Sequence, residues 1–244
     1  MILGINRIPE FKTFIDCVYE ETDTIVFECS DYGVIVRVLG KSHTCFYTVE
    51  FEKDFFLEYG LDEPAEVVTV FVEDLYNILK TAGKNDYLEL KSDKIHITAK
   101  FIGEHNTRVF EFVQPDFDTE SSQPPVIDVN ASAVVGFSDW KQSLSDLDIF
   151  KAGVMKIVFD ENTLTFTTPD NSLVTYKNTI TPDEIGGVAE AMFSVEFLKR
   201  ILEFNKINDT FTVGFNTDAP LLWNVNGESI KVKGLIAPRL GEED

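Results

Sequence analysis

Val72-Glu73-Asp74-Leu75-Tyr76-Asn77-Ile78-Leu79, with Asn85-Asp86 five residues further on, returns as Val195-Glu196-Phe197-Leu198-Lys199-Arg200-Ile201-Leu202 with Asn208-Asp209 five residues further on. Seven identities in the pattern V-E-x-L-x-x-I-L-x5-N-D stand at a constant offset of 123, about half of the 244-residue chain. A tandem duplication of a half-length unit explains that. In the first copy Leu75, Ile78, Leu79 and Ala82 form one apolar stripe at helical spacing, and in the second Val195, Leu198, Ile201 and Leu202 do the same.

Outward from these segments, each half carries a second amphipathic helix. Phe11, Phe14, Ile15 and Val18 fall at i, i+3, i+4 and i+7, and Phe137, Trp140 and Leu144 repeat the spacing in the other half. Helices are expected over residues 11–20, 73–84, 137–147 and 195–206. Between them lie alternating or β-branched and aromatic stretches: 24–29, 34–38, 67–71, 87–90, 95–100 and 108–113 in the first half, then 155–159, 164–168, 173–178, 210–215, 221–225 and 230–236. Strand, helix and three strands recur four times. The fold class this implies is α+β, with sheets covered on one face by helices. The halves meet at Gln114-Pro115-Asp116-Phe117-Asp118-Thr119-Glu120-Ser121-Ser122-Gln123-Pro124-Pro125, which is polar, acidic and proline-rich, so neither helix nor central strand fits it. The expected organisation is residues 1–114 as one domain, 115–126 as a connector and 127–244 as the second domain.

Composition bounds the function. No apolar run approaches the ~20 residues of a membrane helix, and the start carries no signal-peptide layout, so a cytosolic protein is expected. Cys17, Cys29 and Cys45 lack metal-ligand spacing and are odd in number, and His43, His96 and His105 are scattered, so neither a disulfide framework nor a metal site is expected. No glycine-rich phosphate cradle or nucleophile motif is present, and no acidic pair is accompanied by the His or Lys that catalysis needs. An enzyme is not expected, and no cofactor. The formal net charge of −21 argues against nucleic acid unless basic residues are segregated. Over the four expected helices there are seven basic and eight acidic residues, leaving −20 for the rest of the chain.

The order of elements, with its central connector, resembles a DNA sliding clamp of the proliferating cell nuclear antigen family. Leu75-Tyr76-Asn77-Ile78-Leu79-Lys80-Thr81-Ala82-Gly83 is similar to that family's second helix, Asp218-Ala219-Pro220-Leu221 to its late turn, and Leu235-Ile236-Ala237-Pro238-Arg239 to its C-terminal close. Ser42-His43 before an apolar strand and the acidic Glu242-Glu243-Asp244 also match it. Gly40, Leu235 and the polar Ser121-Ser122-Gln123 depart from the family pattern.

The resemblance implies a ring of subunits with sheets outside and the helices lining a hole for double-stranded DNA, read without regard to base sequence. The site would sit in the cytoplasm and nucleoid, or in a nucleus. Phosphates would be faced by Lys12, Lys80, Lys84, Lys141, Lys199, Arg200 and Lys206. Short peptides of partner enzymes (DNA polymerase, clamp loader, flap nuclease and ligase) would enter a pocket of Leu39, His43, Phe46, Pro124, Pro125, Val126, Pro220, Leu235, Ala237 and Pro238. The ring would close as a trimer by edge pairing of Arg108, Val109, Phe110 and Phe112 with Leu173, Thr175, Tyr176 and Lys177 of a neighbour. Two other readings stay open at this point: a checkpoint-type clamp subunit in a mixed ring, and an acidic DNA-mimic inhibitor.

Overall fold

A computed structural model describes residues 1–93, 95–115, 122–170 and 172–239; the middle of the connector, 116–121, and the acidic tail Glu242-Glu243-Asp244 lie outside the described residues. Along the chain come β1 (Ile2–Ile5), α1 (Ile8–Val18), β2 (Thr24–Ser30), β3 (Gly33–Leu39), β4 (Cys45–Glu52), β5 (Glu58–Gly60), β6 (Ala65–Phe71), α2 (Val72–Leu79), β7 (Tyr87–Ser92), β8 (His96–Ile102) and β9 (Thr107–Val113). The second half continues with β10 (Ala131–Gly136), α3 (Phe137–Ile149), β11 (Val154–Asp160), β12 (Thr163–Thr167), β13 (Lys177–Ile180), β14 (Ile185–Gly186), β15 (Ala189–Ser194), α4 (Val195–Arg200), β16 (Thr210–Phe215), β17 (Leu221–Asn226) and β18 (Ile230–Ile236). Strand, helix and three strands thus recur four times, with β5 and β14 as short additions. The fold is α+β.

Two compact units divide the chain between Pro124 and Pro125. Short pieces are exchanged in the grouping, since residues 227–232 belong with the first unit and 44–46 with the second. In the first unit one antiparallel sheet has the order β5-β1-β7-β8-β9, and β4, β3, β2 and β6 lie side by side in another. Alternation explains the pairing: Ile97, Ala99 and Phe101 of β8 are all buried while the residues between them are half-exposed. The core beneath α1 is a run of rings, with Phe11 and Phe14 both against Phe51 at 5.6 and 5.9 Å, and Phe51 against Phe55 at 4.8 Å. In the second unit the order β13-β12-β11-β15 forms one sheet, and β14, β10, β16 and β17 are neighbours in another. There Trp140 of α3 stands edge-on to Phe166 and Phe211 at 5.4 and 5.1 Å. Gly234 packs against the Trp223 indole so closely that a Cβ would lie 2.2 Å from it, which excludes any larger residue.

Helix ends differ from the sequence expectation for identifiable reasons. α1 begins at Ile8 because Pro9 sits in its first turn, where no N–H donor is needed, and Glu10 adds negative charge at that end. α2 stops at Leu79, five residues before Lys84. The Thr81 hydroxyl donates to the Ile78 carbonyl at 2.7 Å and the Thr81 N–H reaches the same oxygen at 2.9 Å, closing the last turn. α4 ends at Arg200 and continues as 3-10 turns from Ile201 to Lys206. The strand expected over 173–178 starts only at Lys177. Before that point the Thr168 N–H still donates to the Tyr176 carbonyl at 3.2 Å, but the Thr168 hydroxyl donates to the Val174 carbonyl at 3.0 Å and accepts the Tyr176 N–H at 3.1 Å, so a side chain takes over part of the ladder.

Candidate functional site

The seven basic residues assigned to a helical face fall into three groups. Lys12, Lys199 and Arg200 are held by carboxylates: Lys12 Nζ lies 2.5 Å from Asp16, Lys199 Nζ lies 2.5 Å from Asp148, and Arg200 Nη2 lies 3.7 Å from Glu196. Lys84, Lys141 and Lys206 are exposed, and no ion pair engages them among the described residues. Lys80 forms the third group alone. It caps α2, where the carbonyl end of the helix favours a cation, and its Nζ stands 3.7 Å from the centroid of the Tyr76 ring. Tyr76 in turn stacks on Tyr19, the residue that caps α1, with ring centroids 3.7 Å apart and planes 12° from parallel.

The charge partition read from sequence does not survive the observed helix ends. Lys80 and Lys84 fall outside α2 and Glu20 outside α1, whereas Glu10 and Asp148 fall inside α1 and α3, so the four helices with the closing 3-10 turns carry five basic and nine acidic residues. Their density, about one net negative charge per eleven residues, matches that of the remainder. Any attraction for phosphate therefore rests on where individual cations stand.

Among the described residues β9 and β13 are outermost in their sheets, as are β5, β6, β14 and β15. Val109 and Val113 of β9 are 59 and 61% exposed. Arg108 is committed within its own unit: Nη1 donates to the Thr81 carbonyl at 2.5 Å and Nη2 pairs with Asp86, whose carboxylate also accepts the Gly83 N–H at 2.7 Å. It braces the turn after α2, while Phe110 stands edge-on to Phe101 at 6.0 Å and Phe112 is half-exposed. In the other set Leu173 and Thr175 are exposed but precede the strand, and Lys177 is exposed at its start. Tyr176 donates its hydroxyl to Asp146 at 3.0 Å, and burial together with that carboxylate pushes its pKa up to about 12.

Of the peptide-pocket residues, Leu39, His43 and Pro124 in the first unit are exposed, as are Pro125 and Val126 in the second. His43 holds a left-handed backbone at φ 54°. Pro220, Leu235, Ala237 and Pro238 are half-exposed. Phe46 is 6% exposed and packs into the core. Within the second unit the Ala237 N–H donates to the Thr44 carbonyl at 2.7 Å and the Arg239 N–H to the Met192 carbonyl at 2.7 Å, which pins the C-terminal residues beside the entry to β4.

Three features escaped the sequence reading. The Tyr76–Lys80 spacing of i, i+4 signals their contact, but nothing in sequence pairs Tyr19 with Tyr76. The Arg108 brace has no sequence signal either. Nor does the pairing of the Met1 ammonium with Glu66 at 2.9 Å.

Residues 5–119 match the family model of the N-terminal domain of proliferating cell nuclear antigen. A DNA polymerase sliding clamp of Methanothermobacter thermautotrophicus is 27% identical over 244 residues, covering 98% of both chains. The chain is similar over nearly its whole length to the sliding clamps of the proliferating cell nuclear antigen family. A second clamp, from Methanobrevibacter smithii, is 25% identical and covers 96% of this chain and 95% of its own. Among solved structures, Archaeoglobus fulgidus PCNA bound to the C-terminal region of FEN-1 superposes with a TM-score of 0.88 at 20% identity, covering 99% of both chains. The PCNA2–PCNA3 complex of Sulfolobus tokodaii gives 0.87 at 20% identity, over 98% of this chain and 99% of that one. The clamp fold thus runs the whole length of the chain, through the second unit as well as the first.

Proposed function

We infer that this chain is the subunit of a DNA sliding clamp: it closes with further copies into a ring around duplex DNA and tethers replication and repair enzymes, catalysing nothing itself. The observation that carries the reading is the clamp fold over the full chain, with β9 and β13 left outermost in their sheets. Paired between neighbours, these edges satisfy each other's backbone groups and close the assembly. Contact with DNA is made to phosphate and is indifferent to base sequence, through Lys80, Lys84, Lys141 and Lys206 on or beside the helices. Polymerase, clamp loader, flap nuclease and ligase dock by short apolar peptides, for which Leu39 and Pro124 of the first unit and Pro125, Val126, Leu235 and Pro238 of the second are the candidate contacts.

Mass in solution tests the assembly. A species of about three times 27.6 kDa from the pure chain supports self-assembly. A stable monomer that becomes a ring only with other chains supports a mixed clamp, the arrangement suggested by a solved relative that is a complex of two different clamp chains. A monomer that competes with DNA for its partners supports the DNA-mimic reading instead.

A further inference from the structure

A carboxylate that orders a lysine also cancels its charge. Lys12 on Asp16 and Lys199 on Asp148 are placed but neutralised, whereas Lys84, Lys141 and Lys206 keep their charge and are held by no ion pair. An aromatic ring orders a cation through its quadrupole and leaves the net charge intact. Lys80 is held in this way: its ammonium sits 3.7 Å from the Tyr76 centroid, and Tyr76 is backed by Tyr19 at 3.7 Å in a near-parallel stack. Lys12 Nζ lies 5.9 Å from the same ring but is engaged by Asp16. Lys80 is exposed, so the donors of its ammonium that point away from the ring are open to an acceptor. A long, flexible lysine loses rotamer freedom when it meets a phosphate, and a side chain already parked loses less.

We propose that Tyr76, backed by Tyr19, is a positioning residue that presents Lys80 as a pre-ordered, fully charged contact for a DNA backbone phosphate, without itself touching the nucleic acid. The proposal rests on the reading that this helical face meets DNA, and the test separates the two. The full-length chain is titrated with a short random-sequence duplex over a range of salt, for wild type, Tyr76→Leu, Tyr76→Phe, Lys80→Gln and the double variant Tyr76→Leu/Lys80→Gln. Tyr76→Leu weakens association roughly threefold, Tyr76→Phe restores it, and the Tyr76→Leu effect vanishes when Lys80 is already glutamine. Lys80→Gln lowers the salt slope by up to ~1. Tyr19→Leu, which removes the backing ring, weakens association in the same direction by less.

Loss of binding in Lys80→Gln with none in Tyr76→Leu overturns the positioning role and leaves the DNA-facing face standing. An undiminished Tyr76→Leu effect in the Lys80→Gln background also overturns it, because the ring then acts through something else. No effect of Lys80→Gln, alone or combined with glutamine at Lys84, Lys141 and Lys206, overturns both. Thermal unfolding of each variant confirms that the fold is retained.

Discussion

The two duplicated helix pairs are tied together in different places. Between α3 and α4 the tie is buried: the Trp140 indole N–H donates to the Leu198 carbonyl at 3.1 Å, and the ring is 1% exposed among Phe166 and Phe211. Between α1 and α2 an aromatic tie lies at the half-exposed margin, where Tyr19 stacks on Tyr76. The cations follow suit. On α4 Lys199 and Arg200 rest on carboxylates, and at the end of α2 Lys80 rests on a ring. Duplication fixed the backbone and the apolar stripes, while the polar face of each copy acquired its own means of holding charge.

The largest effect expected from this contrast is in stability. Trp140→Ala removes a buried ring and strands a carbonyl, at a cost of ~3–5 kcal/mol. Tyr19→Leu breaks only a surface stack, at a cost below ~1.5 kcal/mol. Denaturant unfolding of both checks the difference, and equal costs would mean that the two ties are equivalent.

Next comes a clasp that belongs to the first unit. The Met1 side chain is 1% exposed, and its ammonium pairs with Glu66 at 2.9 Å and Asp62 at 3.3 Å. Burial works against both charges, yet the Glu66 and Asp62 carboxylates hold the amine above its usual 8.0, and the amine with the Asp62 and Glu63 N–H groups holds Glu66 below its usual 4.5. The lowered Glu66 contributes stability present above pH 4.5 and lost as pH falls through its folded pKa. The raised amine contributes stability present below pH 8.0 and lost as pH rises through its own. Glu66→Gln should therefore cost roughly 1–2 kcal/mol between those limits, and the difference from wild type should shrink in acid. A pH series of unfolding midpoints measures this; a difference that does not change with pH would show that the clasp is not ionic.

The smallest effect is the most specific to function. Asp148→Asn frees Lys199, costs less than ~1 kcal/mol because the pair is exposed, and steepens the salt dependence of DNA association by up to ~1 in log–log slope. An unchanged slope would remove Lys199 from the phosphate contacts and leave the first unit's Lys80 as the better-placed cation.

Much of the fold was legible because it is written in periodicity. The apolar stripes of Leu75, Ile78 and Leu79 and of Val195, Leu198 and Ile201 recur at one offset, and burial follows them: Leu75 and Leu198 are both fully inside. Strand alternation placed the ends of β7 to β9 to within two residues. What escaped depends on contacts far apart in sequence or on side chains competing with backbone. Thr168 delays β13 to Lys177, Thr81 ends α2 early, and Arg108 turns back to Asp86 from a strand whose pattern shows only an edge. Charge placement was the least legible in the sequence, since moving a helix end by a few residues reassigns Lys80, Lys84 and Asp148 and erases the contrast.

Encirclement of the duplex is measured by topological retention. The assembled chain is bound to a nicked circular duplex whose single restriction site is then cut, and the protein remaining on the DNA is measured before and after cutting. A ring that encircles the duplex stays on the circle through a salt wash and is lost when the circle is opened, unless the new ends are blocked. Equal loss from circular and linear DNA, or retention on both, would contradict the account.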